Sequence, residues 1–163
     1  MARWSVNNPS LLPVQVNDTT NFTGNGYQGL QGGSSTQSIT VLEVYIGGQA
    51  TTSSQCSLIF GRDSTVAATN LSGGRFAGLN PASAALAAPP VQHSTATTLP
   101  QRSATMSLLT LGCNLYGGIV RWVANPGEEL GILGNTAPLG EVSLSAFSGT
   151  AANLTTHFII EPA

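Results

Sequence analysis

The sequence predicts an all-β protein, an antiparallel β-sandwich of the jelly-roll type, with at most one short helix near residues 81–88. Seven or eight short segments rich in β-branched and aromatic residues follow one another without alternating helices, each bounded by Gly, Pro or Asn. Such a series is typical of sandwiches with antiparallel neighbours. Trp122 follows both cysteines, so the Cys-Trp-Cys order of an immunoglobulin domain is absent, which favours the jelly roll.

Residues 1–35 predict an N-terminal arm followed by a glycine-rich loop, and residues 36–163 predict a single jelly-roll-like sandwich domain. The segment 23–35 is dominated by turn formers and offers little apolar area, so we expect it to become ordered against a partner. An aromatic side chain on a mobile arm, such as Trp4, usually needs a pocket, which another subunit can supply. The candidate interface residues are Trp4, Leu11, Leu12, Val14 and Val16. The alternative is an N-terminal edge strand folded onto its own domain.

The first clear strand runs from Ser38 to Ile46 and ends at Gly47. Its apolar positions switch from odd to even numbers near Val41 and Leu42, which indicates either a bulge or a strand buried on both faces. Further strands are predicted at 55–60, 105–111, 118–124 and 128–133.

The last two strands, 141–147 and 154–161, have the clearest pattern, because their apolar side chains share one face of each strand. These apolar residues are Val142, Leu144, Ala146, Leu154, Phe158 and Ile160. His157 and Glu161 are predicted to lie together on the opposite face.

The helix near 81–88 is predicted from Asn80 as a cap, Pro81 in the first turn, a run of alanines, and Pro89 with Pro90 as terminators. A short, alanine-rich helix has little stability alone. We expect it to lie on the sandwich or against a neighbour.

The charge content excludes several functions. Only 7% of the residues are charged, the net charge is −2 and there is no lysine, so chemistry that requires a lysine side chain, such as a Schiff base or a phosphate-loop lysine, is excluded. Nucleic acid is not an expected partner, because phosphate binding requires clustered Lys and Arg, and the arginines are scattered. No run approaches the roughly 20 apolar residues of a membrane helix. No secretory signal is visible, which predicts synthesis in a cytoplasm.

Cys56 and Cys113 are the only two cysteines, and each lies in an apolar, strand-like run. Unpaired cysteine packs as a small hydrophobe, so two free buried thiols are one interpretation. A Cys56–Cys113 disulfide is the other, although two cysteines form no framework and the sequence shows no sign of an oxidising compartment.

No catalytic, metal or cofactor site is predicted, and the protein is not expected to be an enzyme. Residues 24–29 match G-x-G-x-x-G, but neither the preceding strand nor the following helix of a nucleotide site is indicated. His93 and His157 belong to no metal-binding motif. Glu128 and Glu129 are adjacent, so on a strand their side chains would point to opposite faces and could not form a catalytic pair of carboxylates.

Three segments of the closing third carry a resemblance to a known family: 117–130 (GGIVRWVANPGEEL), 140–145 (GEVSLS) and 156–162 (THFIIEP). They resemble the small decoration, or cement, proteins of tailed bacteriophages, which are often trimeric β-sandwiches or jelly rolls on the outside of the head. The resemblance implies a homotrimer that binds the major capsid protein on the capsid exterior and stabilises the head against internal pressure.

Two alternatives stay open. A receptor- or carbohydrate-binding tip is one, since polar jelly rolls also serve as lectins and fibre heads, although aromatic residues make up only 6% of the chain. A tail or neck component of the same kind of virion is the other. A surface of so few charges suits fixed contacts in an assembly better than turnover of a charged substrate.

Overall fold

Strands are the regular elements of this chain wherever its structure is described. The computed structural model describes residues 2–12, 15, 20–24, 26–66, 75–82, 90–94, 97–149 and 152–163. Within these ranges there are eleven strands and no helix. The strands are β1 Trp4–Leu11, β2 Tyr27–Gln31, β3 Ser38–Gly48, β4 Gln55–Thr65, β5 Arg75–Gly78, β6 Val91–His93, β7 Gln101–Asn114, β8 Ile119–Val123, β9 Leu130–Leu133, β10 Glu141–Gly149 and β11 Leu154–Pro162.

The strands form two antiparallel sheets. Sheet A has the order β5-β1-β11-β3, and β8 and β9 both pair with the remaining side of β3. Sheet B has the order β6-β2-β10-β4-β7. From β1 to β6 the chain alternates between the sheets, and the last two strands then enter the sheet centres. The predicted all-β antiparallel sandwich is confirmed.

One apolar core lies between the sheets. The alternating residues of β10 and β11 face it as the sequence predicts, and residues 142, 144, 154, 158 and 160 are fully buried. Phe60 of sheet B meets Phe158 of sheet A edge to face, with ring centroids 5.3 Å apart. Fully burying a side chain of this size contributes about 1.5–3 kcal/mol, so the two sheets are held together mainly by these contacts.

The switch of apolar positions in β3 is a β-bulge. Ile160 pairs with Val41 whereas Ile159 pairs with Glu43, so Leu42 is the extra residue. Odd-numbered residues face the core before the bulge and even-numbered residues face it afterwards. Of the two interpretations of this pattern, the bulge is the observed one.

The described part of the N-terminal segment is not an arm. β1 lies inside sheet A between β5 and β11, and β2 lies inside sheet B between β6 and β10. Trp4 and Leu11 are buried in the core, so neither is available to a neighbouring subunit. The register of β1 shifts between Asn8 and Leu11, which breaks the alternating pattern that would have revealed the strand. The alternative of a strand folded onto its own domain is therefore correct, although β1 is not at an edge.

The remaining candidate interface residues follow β1. Leu12 is 39% exposed, and Val14 and Val16 lie outside the described residues. Because β1 and β2 each belong to one of the two sheets, the described part of residues 1–35 is built into the same sandwich as residues 36–163.

Most of the predicted helix, from residue 83 onward, lies outside the described residues. Pro81 and Ala82 form a turn in which the Ala82 backbone N–H donates to Asn80 Oδ1 at 2.9 Å. This is the type of contact that an Asn cap makes, but the described residues themselves are not helical.

Gly48 ends β3 where the backbone of Leu115 crosses it. A Cβ at Gly48 would lie 2.3 Å from the Leu115 carbonyl oxygen, whereas a Cβ at Gly131 would meet nothing within 4 Å. We expect Gly48→Ala to lower the free energy of unfolding in urea by about 1–3 kcal/mol, because the Leu115 backbone must move. The control Gly131→Ala should change it by less than about 0.5 kcal/mol. Equal effects would contradict this packing.

Candidate interaction surfaces

One long side of the sandwich is open. It lies between β7 at the end of sheet B and β8 with β9 at the end of sheet A. Most core-facing residues of these three strands are only partly buried, unlike those of the central strands, although Ile132 of β9 is fully buried. The partly buried residues are Leu109, Leu111, Cys113, Val120, Trp122 and Leu130. The apolar core therefore reaches solvent along this side, which we call the open side.

The two strand edges of the open side differ. In sheet A the edge is interrupted between β8 and β9 by a turn in which Glu128 N–H donates to Asn125 O and Glu129 accepts from Gly127 N–H, each at 2.9 Å. Charged turns of this kind protect a sheet edge from pairing with another chain. In sheet B, β7 is 14 residues long, and its half from Leu108 to Asn114 contains no Asp, Glu, Lys, Arg or Pro. That half of β7 lacks these protective residues.

The outer face of sheet A carries a row of polar and aromatic side chains across four strands. Asn7, His157, Tyr45 and Arg121 lie opposite one another in register on β1, β11, β3 and β8. The His157 and Tyr45 rings are stacked with centroids 5.4 Å apart, and the Arg121 guanidinium lies 5.1 Å from the Tyr45 ring centroid. Cross-strand pairs of this type stabilise a sheet, so the row has a structural role.

Glu43 fixes the Tyr45 and Arg121 side chains of this row. Its Oε2 accepts hydrogen bonds from the Tyr45 hydroxyl at 2.5 Å and from Arg121 Nε and Nη2 at 3.0 and 2.7 Å. The Tyr45 hydrogen bond, and after it Arg121, lower the pKa of Glu43 despite its partial burial. Burial lowers the pKa of His157 and so favours a neutral imidazole, whereas the charge of Glu43 acts in the opposite direction.

A cavity of about 360 Å³ adjoins this row. Gly47, which has no side chain, lies in its wall together with Asn7, Tyr45, Ile119 and His157. These walls offer an amide, an imidazole and apolar surface. No carboxylate or guanidinium lines the cavity within the described residues. It suits a neutral ligand group.

Ser5 and His157 form a hydrogen bond, with Oγ and Nε2 2.9 Å apart. A serine beside a histidine is the first requirement for nucleophilic catalysis, and an oxyanion hole is the second. Ser5 lies in the middle of β1, which pairs with strands on both sides. The backbone N–H groups around Ser5 are therefore used in pairing with β5 and β11 and do not form an oxyanion hole. The Ser5–His157 pair is better explained as part of the polar row.

The outer face of sheet B buries a second polar group of residues. Asp63 and Glu141 are fully buried, and Ser143 Oγ donates to Asp63 Oδ2 at 2.5 Å. Arg102, opposite Asp63 in register, is also buried, and its guanidinium lies 5.7 and 5.9 Å from the rings of Phe22 and Phe147. Two carboxyls and one guanidinium therefore share a site with little water.

This burial changes the proton affinity of the group. Burial raises the pKa of Asp63 well above its usual value, Glu141 raises it further, and Ser143 and Arg102 act in the opposite direction. Burial also raises the pKa of Tyr27, with smaller contributions from Glu141 and Asp63. A buried carboxyl beside a second one retains its proton to higher pH than in water, so folding favours the protonated form of Asp63.

The described residues form no nucleotide-binding motif, no metal-binding cluster and no membrane-spanning helix. The G-x-G-x-x-G match runs into β2, which is a strand, so the helix terminus of a nucleotide site does not follow it. Among the described residues, no group of three or more His, Cys, Asp or Glu side chains is placed to hold a metal. No helix in the described ranges is long and apolar enough to cross a membrane. The side chain of His93 lies outside what the structure describes.

No family model, curated protein or solved structure matches this chain. The open side, the row with its cavity and the buried carboxyls were not found from sequence. Each depends on strand register, and only the open side leaves a visible trace, in the neutral run from Leu108 to Asn114.

Asp63 is expected to make stability depend on pH. Because the pKa of Asp63 is raised in the folded state, its contribution is fully present below about pH 4 and is lost as the pH rises through the folded-state pKa. We expect urea unfolding to show this loss, and Asp63→Asn to remove it. Glu43→Gln is the control, because the lowered pKa of Glu43 gives a dependence of the opposite sign. An unchanged pH profile in Asp63→Asn would contradict the assignment.

Proposed function

We propose that the protein is a structural component of a virion: a decoration protein that forms a homotrimer, binds the major capsid protein outside a phage head and stabilises the head against internal pressure. The observation that carries this proposal is the unprotected edge of β7 beside a partly exposed core. Long, neutral edges pair readily with other chains, and natural proteins block or cover them. A subunit assembly provides such a cover.

We also propose that the sandwich is a jelly roll. The strands β1-β11-β3-β8 face β2-β10-β4-β7, with β5 and β6 added at the far edges and β9 pairing with β3 beside β8. Without β5, β6 and β9, four strands remain in each sheet and the chain passes from one sheet to the other, which supports the jelly-roll architecture found in many viral capsid proteins. This supports the proposal at the level of fold, whereas the function depends on the surface.

The composition supports permanent contacts. Only 7% of the residues are charged, so binding must use neutral hydrogen bonds and apolar area, which salt weakens little. Large apolar side chains are exposed at several positions of the described chain, including Tyr116, Ile119, Val123 and Leu133 in the region of β8 and β9. Repeated around a symmetry axis, individually weak contacts of this kind give strong total binding through multivalency.

Leu109→Lys tests the open side. Leu109 faces the core from β7 and is partly buried, so a lysine there can still reach solvent in a monomer but would be trapped under a neighbouring subunit. We expect light scattering to show a trimer for the native protein and a folded monomer for Leu109→Lys. The neighbouring variant Thr110→Lys adds the same charge to the exposed outer face and should keep the trimer. A native protein that is monomeric at every concentration would refute the proposal.

The capsid role is tested on phage heads that lack the protein. Such heads should burst at lower temperature or under milder osmotic shock, and the native protein should restore their resistance. Leu109→Lys should restore less, because a monomer loses multivalent binding. Heads that are equally tough without the protein would count against the decoration role even if the trimer exists.

The second candidate is a receptor- or carbohydrate-binding tip, which the neutral cavity over Gly47 favours. Hydroxyl-rich ligands bind in concave sites with a few fixed polar groups, and Asn7 and His157 are such groups here. A tail or neck component would share the same surfaces.

Gly47→Val tests the cavity. A Cβ at Gly47 would lie 2.7 Å from Thr155 Oγ1, a side-chain atom that can rotate away, so we expect the variant to fold with the cavity filled. If the protein is a tip, the native protein should bind a specific neutral glycan on an array, and Gly47→Val should lose at least about tenfold in affinity, or ~1.4 kcal/mol. Gly131→Val, in the same sheet, is the control. The absence of any glycan signal for the native protein would remove this candidate.

A further inference from the structure

The two thiols of this chain face each other across neighbouring strands. Cys56 of β4 lies directly opposite Cys113 of β7, and both are free. Directly opposed residues of antiparallel strands have Cα atoms about 4.5–5.5 Å apart, which lies inside the range of disulfides. The backbone therefore already provides the separation that a disulfide requires.

The two thiols differ in access. Cys56 is 4% exposed and belongs to the core, whereas Cys113 is half-buried. Cys113 also lines a cavity of about 230 Å³, whose walls include Gly112, Gly117 and Gly118. Gly117 and Gly118 have φ angles of 68° and 87°, and a Cβ on either would meet nothing within 4 Å. A small molecule can approach Cys113 past this turn.

We propose that Cys113 and Cys56 form a redox-active dithiol in which Cys113 reacts with a low-molecular-weight disulfide and Cys56 then completes an intramolecular disulfide. In the first step the Cys113 thiolate attacks one sulfur of the small disulfide, and the other half leaves as a thiolate. In the second step the Cys56 thiolate attacks Cys113 Sγ and releases the second half. The small disulfide gains two electrons and two protons, and the cysteine pair loses them.

The electrostatics agree with this order of attack. The hydrogen bond with Cys56 lowers the pKa of Cys113, against a smaller opposite effect of burial. The same contact, followed by burial and the charge of Cys113, raises the pKa of Cys56. The accessible thiol is therefore the better nucleophile, and the buried thiol is kept protonated until its neighbour has been consumed.

The bond would fasten the edge strand to its neighbour. Cys113 lies near the end of β7, one residue before Asn114, and β7 has β4 as its only partner strand among the described residues. A disulfide constrains the unfolded chain and should raise the thermal stability of the sandwich. It also links the strand of the open side covalently to β4.

Oxidised glutathione is the probe that tests this order. The reduced, full-length protein is incubated with it and analysed by intact mass and peptide mapping. We expect two thiols to disappear, a Cys56–Cys113 peptide to form, no glutathione to stay attached, and the Tm to rise by several degrees. Cys56→Ala should retain one glutathione group on Cys113, because the resolving thiol is missing. Cys113→Ala should stay unmodified until it is unfolded in urea.

The controls keep the outcome interpretable. Circular dichroism checks that each alanine variant folds, and Cys56→Ser and Cys113→Ser replace a variant that does not. The proposal is wrong if the folded native protein keeps both thiols while the urea-unfolded protein oxidises. It is also wrong if glutathione attaches first to Cys56, or if only disulfides between two molecules form. None of these results depends on whether the protein decorates a capsid.

Discussion

The pairing of the first four strands with the last two is the constraint on which the whole sandwich depends. β11 lies between β1 and β3 in sheet A, and β10 lies between β2 and β4 in sheet B. Neither sheet is continuous until the C-terminal strands pair, so the chain loses the loop-closure entropy of these long-range pairings before their contacts stabilise it. The buried Asp63–Ser143 hydrogen bond acts at the same place, because it joins β4 to the central strand β10.

The strands that the sequence predicted are those in which one face is apolar over several residues. All seven segments predicted between residues 38 and 161 contain strands, and the change of period near Leu42 indicated the bulge as one of two interpretations. β1, β2, β5 and β6 were missed because their patterns are short or interrupted. β2 is an example. Gly29 carries no side chain and so adds nothing to an alternating apolar and polar pattern, yet its backbone pairs with strands on both sides. A sequence pattern shows which side chains are apolar, whereas strands are paired by hydrogen bonds of the backbone.

The surfaces were less predictable than the fold, because each is made of residues that meet only through register. His157 was correctly expected on an outer face, but its neighbours Asn7 and Tyr45 lie 150 and 112 residues away in the chain and are brought beside it by pairing alone. Trp4 was expected at an interface because an aromatic side chain on an arm needs a pocket. Its own core supplies that pocket, as β1 is part of the sheet.

The open side and the thiol pair are connected through β7. Cys113 faces the core from the same strand whose edge we propose to be covered by a neighbouring subunit, and the cavity that leads to it is walled by the turn before β8. A subunit seated on this side would restrict that approach, so oxidation of Cys113 is easiest before assembly. The Cys56–Cys113 disulfide would also make β7 stiffer, and a stiffer edge strand loses less conformational entropy when it binds a neighbouring subunit. If both proposals hold, the redox step would come first and would prepare the surface that a neighbouring subunit then covers.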